Sequence, residues 1–218
     1  MPVDWNAHVE REEERFRDGS ERLPEDPDTR QRQLTRMGNA AYGAGLAHLM
    51  LGDQGRAAER FRDAARTYLE SYSDAPPASW GRLIGMMKAS ILADDWPAAE
   101  EYARKTLDEG ALESATPIGA YAAALALVTL GRDEDARLPA NTLRDDFPPA
   151  VADAVAMLAA EDTAGYAIAV EDVLESFEQR DEYLEDVPVA DTVLVLQALA
   201  ERRGIAAPLA ASAVLPPA

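Results

Sequence analysis

The sequence predicts an all-α fold of stacked antiparallel helical hairpins, with about nine to ten helices. The clearest unit runs from Ala40 to Ala65, where an apolar helix, a Leu-Gly-Asp corner and a second helix follow one another. The second helix has small residues and one aromatic residue on its inner face. Similar helical spacing of apolar residues continues along the chain, and the length of 218 residues favours a single domain over 1–218.

A pattern of small and aromatic residues recurs at fixed offsets after each corner. From the corner at Gly52, Ala57 lies five positions on and Phe61 nine positions on. The later copies have corners at Ala93, Gly131 and Ala160, followed at the same offsets by Ala98 and Tyr102, Ala136 and Ala140, and Gly165 and Ala169. Two helices pack closely only where the residue after the corner is small.

These residues and offsets resemble the tetratricopeptide repeat (TPR), in which an alanine and an aromatic residue follow a Leu-Gly corner. The resemblance implies a superhelix of helical hairpins with a concave surface that binds a partner. The unequal spacing of the corners departs from the constant period of that family.

Residues 1–29 are expected to form an N-terminal helix and a loop. The helix is predicted from Asp4 to Asp18, with its EREEER segment as a solvated face. The loop follows from Gly19 to Thr29, because two prolines lie within it.

The hairpins are expected over residues 30–204. Helices with predicted bounds cover 30–51, 54–72, 79–93, 118–130, 150–160, 163–180 and 188–203. A further helix follows the Asp94-Asp95 corner, and another is expected to kink or restart at Pro139. Glycines 38, 43 and 45 of the first long helix each cost about 1 kcal/mol of helix propensity, so a second backbone is expected to lie close to them.

The C-terminal stretch combines an apolar helix from Pro188, an Arg-Gly stop and a tail over 205–218 that is expected to pack on the last helices. This stretch, PVADTVLVLQALAERRGIAAPLAASAVLPPA, is similar to the end of the immunity protein 49 family. The resemblance implies an all-helical protein of a bacterial polymorphic toxin system. Members of that family are inferred to bind and neutralise a cognate toxin.

Acidic residues dominate the charge of the chain. Forty Asp and Glu oppose twenty-one Lys and Arg, which gives a net charge of −19, while 47% of the residues are hydrophobic. The acids are therefore expected to coat a folded surface. A host with molar internal salt would screen their repulsion within about 3 Å, whereas a basic partner or mimicry of nucleic acid is the alternative. Because almost every predicted helix contains acids, we favour salt adaptation.

Several chemistries have no support in the sequence. The chain has no cysteine and only two histidines, and it has no HExxH, Gly-rich phosphate loop, G-x-S-x-G or EF-hand motif. Acidic pairs such as Asp94-Asp95 and Asp145-Asp146 point apart on a helix or cap it. We expect no metal or cofactor, and no nucleic-acid binding, because phosphate contacts need clustered Lys and Arg.

No basic-apolar leader and no apolar run of about 18 residues is evident, so a cytoplasmic protein without membrane contact is expected.

Two classes of function fit these observations. The first is a non-catalytic binding protein whose concave surface holds a protein or peptide partner, with toxin neutralisation as a special case. The candidate binding residues, all from first helices, are Tyr42, His48, Trp80, Met87 and Tyr121. The second is a small-molecule hydrolase or other enzyme that uses buried carboxylates as acid and base. Exposed aromatic residues in a groove would favour binding, and pocket acids of raised pKa would favour catalysis. A homodimer is one alternative for the oligomeric state.

Overall fold

The computed structural model of the protein describes residues 3–143 and 147–217. Within these ranges the chain forms ten α-helices and two 3₁₀ turns without any strand, which confirms the predicted all-α fold. The helices are α1 (Trp5–Glu21), α2 (Pro27–Met50), α3 (Gln54–Ser73), α4 (Trp80–Leu92), α5 (Trp96–Asp108), α6 (Pro117–Thr129), α7 (Asp133–Thr142), α8 (Pro149–Ala160), α9 (Thr163–Glu178) and α10 (Asp191–Glu201). The 3₁₀ turns are Ala111–Glu113 and Leu184–Asp186. None of these helices is long and apolar enough to cross a bilayer.

Aspartate side chains begin half of the helices. Each of these residues accepts a hydrogen bond, at 3.0 to 3.3 Å, from the backbone N–H three positions on. The capping residues are Asp4, Asp26, Asp53, Asp95 and Asp162. Such a cap stabilises a helix by about 1 kcal/mol, so some of the acidic residues have a local structural role.

The four hairpins, α2/α3, α4/α5, α6/α7 and α8/α9, each turn at one residue with left-handed backbone. These residues are Gly52 (φ 76°), Asp94 (φ 54°), Gly131 (φ 67°) and Glu161 (φ 54°). The predicted second and fourth corners, Ala93 and Ala160, are one residue too early. Ala93 has right-handed backbone and Ala160 ends α8, so the acidic residue after each of them makes the turn.

Counted from the observed corners, the positions five and nine residues on are completely buried in every hairpin. They are Ala57 and Phe61, Ala99 and Ala103, Ala136 and Ala140, and Tyr166 and Val170. In the second and fourth hairpins these replace the predicted Ala98 and Tyr102, and Gly165 and Ala169. The four hairpins thus share a packing geometry even where the residue types differ.

The C-terminal segment, defined here as residues 184–217, returns to the first helices of the hairpins. Each helix packs on the next one, and α4, α6 and α8 also contact one another in sequence. Helix α10 contacts α4, α8 and α9, while the 3₁₀ turn Leu184–Asp186 contacts α2. The C-terminal segment therefore covers part of the face that the first helices present.

The tail lies along α10 and is held by hydrogen bonds that its backbone carbonyls accept. The Ala190 N–H donates to the Val214 carbonyl at 2.8 Å, and Gln197 Nε2 donates to the Ala207 carbonyl at 2.6 Å. The side chains of Ile205 and Val214 are buried.

Two glycines of α2 lie against aromatic rings of α3. A Cβ atom on Gly38 would lie 2.7 Å from the Tyr68 ring, and one on Gly45 would lie 2.7 Å from the Phe61 ring. The sequence predicted a close backbone at these positions, but the close neighbour is a ring. Aromatic side chains of α3 thus fill the space that the missing side chains leave.

Several boundaries differ from the predicted ones. Helix α1 continues to Glu21 instead of ending at Asp18, and α2 begins at Pro27 instead of Arg30, which leaves a shorter loop. Helix α10 begins at Asp191 rather than at residue 188. Pro139 lies inside α7 without a restart of the helix. The predicted pair Asp145-Asp146 lies outside the described residues.

Candidate functional site

All five predicted binding residues are buried in the folded chain. Their relative exposures are 2% for Tyr42, 4% for His48, 5% for Trp80, 0% for Met87 and 5% for Tyr121. The first helices do not present them on an open groove, because neighbouring helices and the C-terminal segment cover them.

Two of the five, Tyr42 and Trp80, line a cavity of about 430 Å³ between α2, α3, α4 and the start of α10. We call this cavity the α2–α4 pocket. Its apolar wall includes Tyr42, Tyr68, Trp80, Ile84 and Ile118, and its polar side chains are Thr35, Asn39, Ser79, Arg82, Lys88 and Asp191. Size and lining of this kind, apolar walls with a few polar groups, are typical of ligand sites.

Helical spacing brings the pocket residues to one side of α2. Thr35, Asn39 and Tyr42 recur every three or four positions, so they share one face of that helix. The ring of Tyr68 fits between α2 and α4 because both helices have a glycine there. A Cβ on Gly38 or on Gly85 would lie within 2.8 Å of that ring.

An ion pair lies at the α10 side of the pocket. Lys88 Nζ donates to Asp191 Oδ2 at 2.5 Å and to Thr192 Oγ1 at 3.2 Å. Tyr42 Oη donates to the same Asp191 oxygen at 3.0 Å. The side chains of Lys88 and Asp191 are only 13% and 14% exposed. The pair is therefore mostly buried, and both residues line the pocket.

The charges of this pair determine the protonation states of Lys88, Asp191 and Tyr42. Burial alone would raise the pKa of Asp191, but the charge of Lys88 and hydrogen bonds from Lys88 and Tyr42 hold that pKa below its usual range. Burial alone would lower the pKa of Lys88, but Asp191 raises it above its usual value. Burial, with the nearby Asp191 charge, raises the pKa of Tyr42 well above its ordinary value. At neutral pH Lys88 and Asp191 are therefore charged, and Lys88 and Tyr42 donate hydrogen bonds to the Asp191 carboxylate. None of the three pKa shifts is directed towards neutrality, as proton-transfer catalysis would require.

The other three predicted residues lie away from the pocket lining. The Tyr121 ring stacks on Phe147 with centroids 4.8 Å apart. Met87 Sδ accepts a contact from Thr106 Oγ1 of α5 at 3.9 Å. His48 Nε2 lies 3.8 Å from Glu13 of α1, and burial lowers the pKa of His48. These side chains pack between helices.

A second buried carboxylate lies under α1. Glu12 is completely buried and accepts from Arg11 Nε at 2.7 Å and from Arg15 Nη1 at 2.8 Å. Arg15 also pairs with Glu185, and Arg11 Nη2 donates to the Glu185 carbonyl at 2.5 Å. We call these four residues the Glu12 cluster. The sequence predicted a solvated EREEER face, but the 3₁₀ turn that contains Glu185 lies against it.

Burial raises the pKa of Glu12, although both arginines oppose that shift. Because no part of the Glu12 side chain is exposed, a ligand cannot reach it in this structure.

Three charged residues of the pocket, Arg82, Lys88 and Asp191, are not among the residues that the sequence predicted. A signal was present in the composition, because Lys88 is one of only two lysines and is the only charged residue between Leu83 and Leu92. Asp191 similarly begins the apolar α10. Over residues 3–143 and 147–217, no group of three or more His, Asp or Glu is placed to hold a metal ion.

Comparison with known proteins identifies no relative. No protein-family model matches the chain, and no curated protein or solved structure is similar enough to match it.

Proposed function

We propose that this protein is a non-catalytic helical-repeat binding protein that holds an apolar group of a protein or peptide partner in the α2–α4 pocket. The observation that carries the proposal is the pocket itself, with aromatic walls, a volume of about 430 Å³ and a fixed ion pair. Its lining includes Ile118, which is 42% exposed and available to a partner at the surface. Buried aromatic residues beside a few polar groups are suited to anchor one partner side chain.

The stacking of the hairpins supports a TPR-like superhelix as the scaffold. The four corners have the same left-handed backbone, and the same two positions after each corner are buried. In repeat proteins of this type the first helices supply the ligand surface. Here the C-terminal segment occupies part of that surface, so the partner binds at the remaining pocket and not along the full length of the inner face.

The electrostatics of the pocket favour binding over catalysis. An enzyme that uses buried carboxylates needs an acid of raised pKa within reach of its substrate. The pocket carboxylate, Asp191, has a lowered pKa, and Glu12, whose pKa is raised, is enclosed.

Toxin neutralisation is one form of this proposal, since a net charge of −19 would attract a basic protein.

Filling the pocket tests the proposal. Gly81 lines the pocket at the second position of α4, and a Cβ there would meet no atom within 4 Å. Gly81→Trp therefore obstructs the pocket without disturbing the core. Gly55→Trp is the matched control, because Gly55 is the second residue of α3 and its Cβ would approach only Asp53, at 3.8 Å.

Wild type and both variants are used as baits in the native host extract at its own salt concentration, and bound proteins are quantified by mass spectrometry. We expect one partner to be retained equally by wild type and Gly55→Trp and at least tenfold less by Gly81→Trp. Equal retention by Gly81→Trp, or no partner specific to the wild type, would refute the proposal.

A further inference from the structure

Arg82 is a pocket cation that only neutral groups hold in place. Its Nε donates to Ser71 Oγ at 2.8 Å and to Thr35 Oγ1 at 3.1 Å, and its Nη2 donates to Gln31 Oε1. Burial lowers the pKa of Arg82, and no carboxylate in the described part of the chain forms an ion pair with it. The guanidinium is thus partly desolvated and has no counter-charge among the described residues.

No described carboxylate pairs with Arg82, although the chain contains forty acidic residues. Neighbouring arginines of α3 pair closely with carboxylates, as Arg60 does with Glu13 at 3.0 Å and with Asp63 at 2.9 Å. A partly buried cation without a counter-charge loses hydration that no ion pair replaces. Such a cost is typical of sites whose missing partner is a ligand.

The acceptors that hold Arg82 are themselves fixed. Ser71 is completely buried and donates to the Gln31 carbonyl at 2.6 Å, and its Oγ lies 2.8 Å from Thr35 Oγ1. The Gln31 side chain is also buried. The guanidinium is therefore oriented before a ligand arrives, and Nη1 makes no hydrogen bond to any described residue.

The charge balance of the pocket favours an anion. Arg82 and Lys88 are its cations and Asp191 is its carboxylate, and Asp191 is already held by Lys88 and Tyr42. One positive charge remains, at Arg82, beside the apolar surfaces of Trp80 and Ile84.

We propose that the group bound in the α2–α4 pocket is a carboxylate on an apolar body, and that Arg82 pairs with that carboxylate. The planar guanidinium matches the two oxygens of a carboxylate with parallel hydrogen bonds, and a single charge balances a single charge. The inference relies on the proposed function only for the location of the site. Either a small apolar acid or the last residue of a partner chain supplies this chemistry.

Three small probes test the chemistry on the folded, full-length chain. They are 4-methylpentanoate, its neutral analogue 4-methylpentanamide, and N-acetyl-leucine, which adds a peptide group to the same apolar acid. Binding is followed by the NMR signal of the Trp80 indole N–H, assigned with Trp80→Phe. We expect both acids to shift this signal with millimolar dissociation constants, and the amide to bind about tenfold more weakly because it lacks the charge-assisted bonds.

Variants of Arg82 test whether this residue is responsible for the preference for a carboxylate. Arg82→Gln is expected to weaken the binding of both acids about tenfold and to leave the affinity for the amide unchanged. Arg82→Lys keeps the charge without the planar guanidinium, so it should restore part of the affinity for the acids. Arg36→Gln, at an exposed arginine of α2 outside the pocket, is the matched control and should leave all three affinities unchanged. The acid-to-amide ratio of the wild type does not depend on how well any variant folds.

The outcomes separate this inference from the proposed function. Equal binding of acid and amide, or acid binding that is insensitive to Arg82, overturns the carboxylate inference. Pocket-dependent capture of a protein without any probe binding overturns the inference and leaves the proposed function standing. If the acids bind but capture of a protein is unaffected by Gly81→Trp, the carboxylate inference is supported and the proposed protein partner is refuted. Tighter binding of N-acetyl-leucine than of 4-methylpentanoate identifies a chain end, and the reverse identifies a small acid; each supports the carboxylate.

Discussion

Asp191 and Glu12 are both buried carboxylates paired with cations, yet their pKa values shift in opposite directions. The cation of Asp191 is as buried as the carboxylate, and Tyr42 donates to the same oxygen, so the pKa falls. The cations of Glu12, Arg11 and Arg15, are 40% and 42% exposed, and the pKa rises.

The difference shows that the solvent exposure of the paired cation decides whether a buried carboxylate is stabilised in its charged form. A lysine shielded from water interacts strongly with its carboxylate, whereas an arginine that is partly in water is screened and offsets less of the desolvation. The two carboxylates also differ in their location. The Asp191 pair lines the pocket, and the Glu12 cluster joins α1 to the C-terminal segment.

The largest expected effect comes from removing the buried cation of the Asp191 pair. Lys88→Met leaves Asp191 as an uncompensated buried charge, and we expect the free energy of unfolding to fall by about 3–5 kcal/mol in urea titrations at pH 7. Lys105→Met, at the only other lysine, is the control. It removes a partly exposed pair with Glu109 at 3.0 Å and should cost less than about 1 kcal/mol. Similar costs for the two variants would contradict the distinction between buried and exposed pairs.

The pH dependence of stability is the next effect, and its sign differs between the two carboxylates. The pKa of Asp191 is lowered on folding, so its contribution is present above the unfolded value of about 3.9 and is lost as the pH falls through the folded pKa. The pKa of Glu12 is raised, so its contribution is present below about 4.3 and is lost as the pH rises through the folded pKa.

These signs are read from two isosteric variants whose unfolding free energies are measured against pH. We expect the deficit of Asp191→Asn relative to wild type to shrink on acidification below about pH 4. The deficit of Glu12→Gln should shrink instead as the pH rises above about 4.3. If the two deficits changed with pH in the same direction, the opposite pKa shifts of Asp191 and Glu12 would be contradicted.

The smallest expected effect on the two buried sites is that of salt, which acts mainly on the exposed acidic surface. If the acidic surface is adapted to salt, the melting temperature of the wild type should rise from dilute buffer to molar KCl, by about 2–4 °C for each kcal/mol gained. The cost of Lys88→Met should change by less than about 1 kcal/mol, because buried pairs are screened less. A flat or falling melting temperature would argue against salt adaptation.

The helices could be predicted from the sequence because apolar periodicity is a local property. The glycine corners at 52 and 131 were found, since glycine is the usual residue with left-handed backbone. The corners at Asp94 and Glu161 were missed by one residue, because acidic side chains adopt that conformation less often. Periodicity alone does not resolve a shift of one position in a helix that is apolar on most faces.

The site was predictable only in part. Tyr42 and Trp80 were chosen as aromatic residues of first helices, and both line the pocket. Met87 fits the same pattern but packs towards α5, because a spacing rule does not show which neighbour a helix face meets. The pairing of Lys88 with Asp191 joins residues 103 positions apart, and no local pattern encodes that contact.

The return of α10 to the earlier hairpins has a consequence for biosynthesis. Among the described helices α10 is synthesised last, yet it supplies apolar side chains that pack against α4, α8 and α9. Until α10 has been synthesised, those three helices lack this cover and expose apolar surface to solvent. The nascent chain is thus prone to aggregate until α10 has been synthesised, and a chaperone that recognises apolar helices would protect it during that interval.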